Sequence, residues 1–314
     1  MFGTLFRRSK PAGQGRIPDG RAVYAIGDIH GRLDLLNDLL RRIERDAASL
    51  PAGTAPELVL LGDYIDRGPD SKGVVERVLA DPLPGFATVR LKGNHEDALL
   101  AFLDGRSDGL DWLSYGGLET LLSYGVPLRS LPNTLAASVE LRRALAAALP
   151  PSHESFYRAC ALHHVVGDYV FVHAGIRPGI SLEKQDPADL MWIRDDFLRS
   201  RVPLPGYVVV HGHTIVDMPQ DRQHRINVDT GAFVSGRLTC LVLRGADGIA
   251  RATVGEAYAT DASGAGLEAR LGAGEGTVEI RVGTRGAAWP IVVDPVVATQ
   301  VAELTEVAGS TRDT

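Results

Sequence analysis

The sequence predicts an α/β protein, on three observations. Short apolar runs of strand length alternate with stretches of helical periodicity, which is the rhythm of βαβ units. Polar residues able to do chemistry follow each of these apolar runs. The chain has 314 residues, of which 45% are hydrophobic, so it is long enough for one domain of about 200 to 250 residues with a remainder.

The predicted strands are the apolar runs at 22–26, 58–61, 88–91, 169–172 and 207–210. Between the first two lies the segment "LDLLNDLLRRI", in which Leu33, Leu36, Leu40 and Ile43 recur at helical spacing. This spacing predicts a helix with one apolar face. The two strands and the helix between them form one βαβ unit.

Three other regions differ from this rhythm. Residues 104–155 contain no strand candidate and carry the Ala/Leu-rich stretch "LRRALAAAL", which predicts a helical insertion over the sheet. Residues 1–20 are expected to be a flexible leader, because their two arginines follow a short apolar piece, the reverse of a signal peptide. Residues 246–314 are rich in Ala and Gly, and "TVEIRV" and "WPIVVDPVV" predict two short strands in a loosely ordered extension of unknown role. The domain with the chemistry is therefore predicted at 21–245.

Composition excludes several classes of protein. The formal net charge of −6 argues against general nucleic-acid binding, which needs a basic surface. The two cysteines, Cys160 and Cys240, lie far apart in apolar surroundings and indicate a reduced, cytoplasmic chain. No apolar stretch reaches the roughly 18 residues of a membrane span, so no stable membrane association is expected.

Each predicted strand ends in residues of chemical interest. These are Asp28 and His30 after the first, Asp63, Asp66 and Arg67 after the second, Asn94 and His95 after the third, His173 after the fourth and His213 after the fifth. In an open α/β sheet, ligands bind at the carboxyl ends of the strands, so these clusters should converge on one crevice. Mixed nitrogen and oxygen donors suit Mn, Fe or Zn, and a carboxylate that can bridge suits a two-metal hydrolytic site.

The motifs that carry these residues resemble one family. They are "GDIHG" at 27–31, "GDYIDRG" at 62–68, "GNHE" at 93–96, "FVHAG" at 171–175 and "HGHT" at 211–214. In order and spacing they resemble the phosphoprotein phosphatase family of binuclear metallophosphoesterases. The resemblance covers residues 23–245 and is greatest to the bacterial branch with lambda-phage-type serine/threonine phosphatases and symmetrical diadenosine tetraphosphatases. It implies the calcineurin-like fold, a central β-sandwich flanked by helices.

The resemblance also implies a role for each residue. The metal ligands would be Asp28, His30, Asp63, Asn94, His173 and His213, with Asp63 bridging two divalent ions. Mn²⁺ is the expected metal, with Fe, Zn or Mg as alternatives. His95 would be the general acid, oriented by Asp66. Arg67 and Arg194 would clamp the phosphoryl oxygens, and Asn94 would also contact substrate. Asp229 in "VDTG" would support the ligands. Ile215 stands where many other metallophosphoesterases have a further histidine, which favours the phosphoprotein phosphatase branch.

Each motif also has a simpler interpretation when it is taken alone. "GDIHG" can be a tight turn with a capping aspartate, and "HAG" or "HGHT" can hold structural histidines. Steps of 35 and 31 residues from Asp28 to Asp63 to Asn94, each behind an apolar run, favour the joint site. The other histidines have no carboxylate at telling spacing and are interpreted as surface or core residues: His153, His163, His164 and His224. Trp112 and Tyr115 could line a cleft or an apolar helix face.

Three functions stay open at this point. The resemblance implies direct attack on phosphorus by a hydroxide held between the two metals, with His95 protonating the leaving oxygen. Its substrate would be a phosphoserine or phosphothreonine monoester in a phosphoprotein, with a dinucleoside polyphosphate split by a symmetrical bis(5'-nucleosyl)-tetraphosphatase as the alternative. An inactive scaffold is a third reading, disfavoured because every ligand position holds a suitable residue.

Overall fold

The computed structural model describes residues 15–127, 134–202, 204–222 and 224–245, together with the backbone of short strands at Thr4–Arg7 and between 258 and 294. The chain divides into two compact units, Met1–Arg251 and Ala252–Thr314.

The strands of the first unit and then its helices have the following bounds. The strands are Thr4–Arg7 (β1), Arg21–Ile26 (β2), Ala55–Leu60 (β3), Ala87–Arg90 (β4), His163–Val166 (β5), Tyr169–Val172 (β6), Val208–His211 (β7), Gln220–Asp221 (β8), Arg225–Asn227 (β9) and Thr239–Arg244 (β10). The α-helices are Leu33–Ala47 (α1), Ser71–Leu79 (α2), Asn94–Leu103 (α3), Leu110–Trp112 (α4), Leu118–Ser123 (α5), Leu135–Ala148 (α6), Pro151–Ala159 (α7), Pro187–Trp192 (α8), Asp195–Leu198 (α9) and Ala232–Ser235 (α10). A π-helical turn spans Leu113–Gly117 and a 3₁₀ turn Leu182–Lys184.

The strands form two sheets. The first has the order β1-β10-β2-β3-β4, in which β2, β3 and β4 are parallel and β10 is antiparallel to β2. The second has the order β5-β6-β7-β9-β8, in which β6, β7 and β9 are parallel. The five predicted strands are present, with bounds that shift by at most three residues, and the helix of the βαβ unit continues four residues past the predicted segment, to Ala47.

Side chains alternate between two cores along these strands. In β2, Val23 and Ala25 join an apolar cluster shared by both sheets, whereas Tyr24 packs with the helices on the outer face. In β6, Phe171 faces the other sheet and Val172 packs with residues of α8 and α9. This alternation follows from the two-residue period of a strand. The result is the predicted β-sandwich with helices on both outer faces.

The predicted helical insertion lies between β4 and β5. It contains α4, the π-helical turn, α5, α6 and α7, so the helical part continues to Ala159, four residues past the predicted end. The residues at 128–133 lie outside the described part.

The first residues of the chain were expected to be a flexible leader. Thr4–Arg7 instead pairs with β10 in parallel. Ile17 is buried among residues of both sheets, and the backbone N–H of Arg16 donates to Asp168. Residues 15–20 therefore lead into β2 along the sandwich.

The second unit contains short antiparallel strands. They are Tyr258–Thr260 (β11), Gly266–Leu267 (β12), Ala269–Gly274 (β13), Thr277–Val282 (β14) and Val292–Asp294 (β15). Their orders are β12-β11-β15 and β13-β14. The segment "TVEIRV" is β14, and β15 lies within "WPIVVDPVV"; β11, β12 and β13 were not predicted.

The structure also bears on the expectations about membrane spans and about the two cysteines. Within the described residues, no helix is long and apolar enough to cross a membrane. Cys160 and Cys240 are both buried.

Candidate metal centre

The ends of five strands bring the predicted site residues together. The loops after β2 and β3 carry Asp28, His30, Asp63, Asp66 and Arg67, the first turn of α3 carries Asn94 and His95, and the residues after β6 and β7 include His173 and His213. The six predicted metal ligands and His95 are at most 6% exposed. Burial of so many ionisable groups in one place is typical of functional sites.

Asp63 lies at the centre of these residues. Its Oδ2 is 3.5 Å from His30 Nε2 and 3.4 Å from His173 Nε2, and His95 Nε2 is farther away at 3.9 Å. Two groups of potential ligand atoms therefore share Asp63, one with His30 and His95 and the other with His173 and His213.

Backbone carbonyls fix which imidazole nitrogen faces this centre. His30 Nδ1 lies 2.9 Å from the carbonyl of Ile65, and His173 Nδ1 lies 3.0 Å from that of Leu61. A carbonyl only accepts, so each Nδ1 carries the proton and each Nε2 presents a lone pair toward Asp63. Metal-binding histidines are commonly oriented in this way.

Asn94, His213 and Asp28 complete the centre. The Oδ1 of Asn94 is 2.9 Å from His173 Nε2, and His213 Nδ1 is 3.2 Å from the same nitrogen. Both oxygens of Asp28 accept from the backbone N–H of His213, at 3.0 and 3.2 Å. Nitrogen and oxygen lone pairs of several side chains thus converge on a small volume.

The charges of the centre favour a cation. Burial, together with the neighbouring carboxylates of Asp229 and Asp63, raises the pKa of Asp28, and burial and Glu96 raise the pKa of Asp63. Burial and His95 lower the pKa of His30, and burial lowers the pKa of His173 to about 3. Clustered carboxylates beside neutral imidazoles are costly to bury, and divalent cations offset this cost.

The backbone at the centre is strained. Among the described non-glycine residues, positive φ occurs at His30 (46°), Asp63 (51°), Asp66 (71°), Arg67 (66°) and His213 (64°). Such conformations cost on the order of 1–3 kcal/mol each and persist where the surroundings impose them. All five residues were predicted site residues, so strain and chemistry coincide here.

Two motif glycines leave room for the carboxylates. A Cβ on Gly93 would collide with Oδ1 of Asp63, and a Cβ on Gly212 would collide with Oδ1 of Asp28. The glycines of "GNHE" and "HGHT" are therefore required by the close approach of a carboxylate.

His95 is held by Asp66. Its Nδ1 is 2.6 Å from Asp66 Oδ2, which leaves Nε2 facing Asp63. Burial, Arg67 and Arg194 lower the pKa of His95 to about 3. Burial raises the pKa of Asp66 to about 7, while hydrogen bonds from Thr120 and Trp112 act in the opposite direction. In the substrate-free centre, His95 is neutral and donates its Nδ1–H to Asp66.

The two predicted arginines lie at the rim. Arg67 Nη1 is 3.1 Å from His30 Nε2, and its guanidinium carbon is 4.8 Å from the centroid of the Phe233 ring. Arg194 is exposed and donates to Thr214 Oγ1 at 3.4 Å. The charge of Arg194 lowers the pKa values of His95, His173 and His213, so it acts on the same centre.

Sequence reasoning gave no role to Glu96. Its carboxylate accepts backbone N–H groups of Asp63 (2.9 Å), Tyr64 (2.8 Å) and Gly93 (2.9 Å), which ties the loop after β3 to the start of α3. An available signal was the glutamate three residues after Gly93, a helix-capping position. Asp229 is buried and accepts from Gly231.

The four histidines interpreted above as surface or core residues lie in separate environments. His153 hydrogen-bonds Tyr124, and His164 pairs with Glu57 at 2.7 Å. His163 and His164 belong to β5, and His224 precedes β9. Trp112 is buried, whereas Tyr115 is 44% exposed.

A model of the calcineurin-like phosphoesterase family matches residues 22–236. The chain belongs to the calcineurin-like phosphoesterase family. The match spans every predicted site residue and ends before the second unit. This family membership confirms the resemblance inferred from the five motifs, and with it a metal-dependent phosphoesterase fold.

Similar proteins have several names. The bis(5'-nucleosyl)-tetraphosphatase PrpE [asymmetrical] of Bacillus cereus is 28% identical over 236 residues, covering 69% of this chain and 88% of that protein. A cold-active protein-tyrosine phosphatase of a psychrophilic Shewanella is 18% identical, with a TM-score of 0.48 and coverage of 78% and 83%. A serine/threonine phosphatase of Saccharomyces cerevisiae is 17% identical, with a TM-score of 0.39 and coverage of 69% and 71%.

The donor set of this phosphoesterase fits divalent metal. Imidazole, carboxylate and amide donors together suit Mn, Fe or Zn. His213 Nε2 is buried without a hydrogen-bond partner among the described residues, and its Nδ1 is turned into the cluster.

Proposed function

We propose that this phosphoesterase hydrolyses phosphoserine or phosphothreonine monoesters with two divalent metal ions. The proposed ligands of the ions are Asp28, His30, Asp63, Asn94, His173 and His213, with Mn²⁺ as the proposed metal. The observation that carries the proposal is the position of Asp63, which lies between two groups of potential ligands. A carboxylate shared in this way is what a two-metal hydrolytic site requires.

The chain's own residues supply the rest of the chemistry. Bound metals of this kind lower the pKa of water and polarise phosphoryl oxygens. Arg67 and Arg194 offer guanidinium forks to the remaining phosphoryl oxygens. A bound phosphoryl dianion also raises the proton affinity of His95, whose Nε2 faces the centre. His95 can then hold a proton at Nε2 and give it to the leaving oxygen, while Asp66 stabilises the charged ring.

A cleft beside Arg67 favours a second candidate substrate, a dinucleoside polyphosphate. It has a volume of about 660 Å³ and is lined in part by Arg32, Asn37, Arg67 and Phe233. An aromatic ring beside a phosphate-binding arginine suits a nucleoside that follows the reacting phosphate. The name of the Bacillus relatives supports this candidate.

Comparative turnover tests the proposal. The metal-stripped protein, reloaded with Mn²⁺, should hydrolyse a phosphoserine peptide with a higher kcat/KM than diadenosine tetraphosphate. The reverse order would favour the second candidate. Phe233→Leu removes a ring that also contacts Arg67, so both substrates should be affected, but kcat/KM should fall more for diadenosine tetraphosphate if the cleft binds a nucleoside.

Chelation separates an enzyme from an inactive scaffold. The proposal predicts that full removal of metal abolishes hydrolysis of p-nitrophenyl phosphate and that Mn²⁺ restores it. An unchanged rate after chelation would contradict the two-metal proposal, and the absence of any rate with Mn²⁺ would support the scaffold.

A further inference from the structure

The helical insertion reaches into the centre at Asp66. The indole N–H of Trp112 donates to Asp66 Oδ2 at 2.9 Å, and the hydroxyl of Thr120 donates to Asp66 Oδ1 at 2.5 Å. Asp66 Oδ2 is the same oxygen that contacts His95. One carboxylate therefore joins two side chains of the insertion to the proposed general acid.

These hydrogen bonds leave Asp66 one orientation. Thr120 gives its only proton to Asp66 Oδ1, so Ser71, 3.0 Å away, must donate to Thr120. The backbone N–H of Asp66 donates to both hydroxyls, at 2.9 and 3.0 Å. Asp66, Ser71 and Thr120 are fully buried, and Trp112 is 2% exposed, so water cannot replace a lost partner without disturbing the packing.

The orientation of Asp66 decides which way His95 points. With Oδ1 bound by Thr120, Oδ2 is left to accept from His95 Nδ1 and from Trp112. His95 Nδ1 then carries a proton, and Nε2 is turned toward Asp63. If the carboxylate rotated, the imidazole would lose the partner that fixes its direction.

We propose that Trp112 and Thr120 are positioning residues for the reaction, acting through Asp66 on His95. The inference rests on the proposed role of His95 as general acid. It assigns the insertion a part in leaving-group protonation, beyond covering the sheet. The proton that reaches the leaving oxygen comes from His95 Nε2; Trp112 and Thr120 transfer none.

Packing alone is the competing explanation. The Trp112 ring lies 5.4 Å from that of Phe102, and Thr120 is a buried residue of α5. Trp112→Phe keeps an aromatic ring against Phe102 and removes the N–H. Thr120→Val keeps the shape and removes the hydroxyl, and Thr120→Ser keeps the hydroxyl. The matched control is Thr88→Val, because the Thr88 hydroxyl on β4 is buried without a hydrogen-bond partner in the described part.

The experiment measures leaving-group dependence in the Mn²⁺-loaded full chain. The readout is the ratio of kcat/KM for p-nitrophenyl phosphate to that for phenyl phosphate, whose poorer leaving group needs a proton more. Trp112→Phe and Thr120→Val should each raise this ratio about fivefold or more, within the range that general acid catalysis supplies. Thr120→Ser and Thr88→Val should keep the wild-type ratio.

A double variant that includes His95→Asn separates a positioning role of Thr120 from a packing role. In His95→Asn protein, adding Thr120→Val should change the ratio by less than about twofold, because the acid is already absent. The positioning role is overturned if either variant lowers both rates equally, or if its effect persists in the His95→Asn background. An unchanged ratio in His95→Asn alone would instead overturn the acid role in the proposed function. If Thr120→Val fails to fold, Trp112→Phe decides by the same criteria.

Discussion

The candidate metal centre has two sides that are built differently. On one side, loops at strand ends present Asp63, His173 and His213, each within a few residues of the strand that positions it. On the other side, the insertion holds Asp66 and Arg67 from about 50 residues away in sequence, through Trp112, Thr120 and the carbonyls of Tyr115 and Gly116. Strand ends place the proposed ligands, whereas hydrogen bonds from the insertion hold Arg67 and the carboxylate of Asp66 that orients the proposed acid. The first side should control metal binding and the second should control proton transfer and phosphate binding.

The largest effect is expected from Asp63→Asn on the ligand side. Both groups of potential ligands contain Asp63, so its loss should weaken both metal sites. The decrease in kcat/KM should exceed the roughly 10²–10⁴-fold that an acid supplies, and should exceed that of Asp28→Asn. Steady-state assays on p-nitrophenyl phosphate measure it. A milder loss than for Asp28→Asn would contradict the proposal that Asp63 serves both metal sites.

His95→Asn should affect proton transfer but leave the metals in place. The loss should approach about 10²–10⁴-fold on a phosphoserine peptide and shrink markedly on p-nitrophenyl phosphate, whose leaving group needs less help. Kinetics on both substrates and metal analysis of the purified variant check this. If the variant loses a metal and loses activity equally on both substrates, His95 is a metal ligand and not the general acid.

Gly116→Ala tests the insertion's hold on Arg67. Gly116 has a φ of 109°. A Cβ added at this position would lie 2.6 Å from the backbone nitrogen of Arg67, so Arg67 must shift. We expect a decrease in kcat/KM of about tenfold, within the range for losing an orienting contact. Gly125→Ala is the matched control, because Gly125 also has positive φ but nothing lies within 4 Å of the added carbon. Equal activity of the two variants would contradict the positioning of Arg67 by the insertion.

The stability of the insertion should depend on pH through His153. Burial lowers the pKa of His153 below its ordinary value of 6.5, and its Nδ1 is 2.8 Å from the hydroxyl of Tyr124. The unfolded chain therefore takes up this proton first, and the free energy of unfolding should fall as the pH drops below about 6.5. Denaturant titrations at pH 7.5 and 5.5 should show a smaller decrease for His153→Asn. An unchanged decrease would show that His153 is not protected by folding.

The smallest effect is expected from removing the chain after Gly245. The family match ends at residue 236, β10 ends at Arg244, and Gly245 donates its N–H to Arg21. Both sides of the centre then remain, so kcat/KM should stay within about twofold. Circular dichroism and the aryl-phosphate assay check the truncated protein. An inactive or insoluble product would contradict the expectation that residues 1–245 fold and act without the rest of the chain.

The same division explains what the sequence could predict. The motif residues follow their strands directly, so apolar runs and residue types were enough to bring Asp28, Asp63 and His173 to one crevice. The apolar segment "TCLVLR" forms β10, but it was not predicted as a strand. No chemically distinctive residue follows it, and it pairs antiparallel to β2. The hydrogen bonds of Trp112 and Thr120 to Asp66 span 46 and 54 residues. No local pattern marks such partners, so they emerge only from the packed structure.

The central claim is that one carboxylate, Asp63, serves two metal sites. The most direct test counts the Mn²⁺ ions that bind to each metal-stripped chain. Electron paramagnetic resonance measures the Mn²⁺ that remains free, and the bound number is the difference from the total. The account predicts two ions in the wild type, impaired binding at one site in Asp28→Asn, and impaired binding at both sites in Asp63→Asn. An Asp63→Asn protein that keeps one site at wild-type affinity would contradict it.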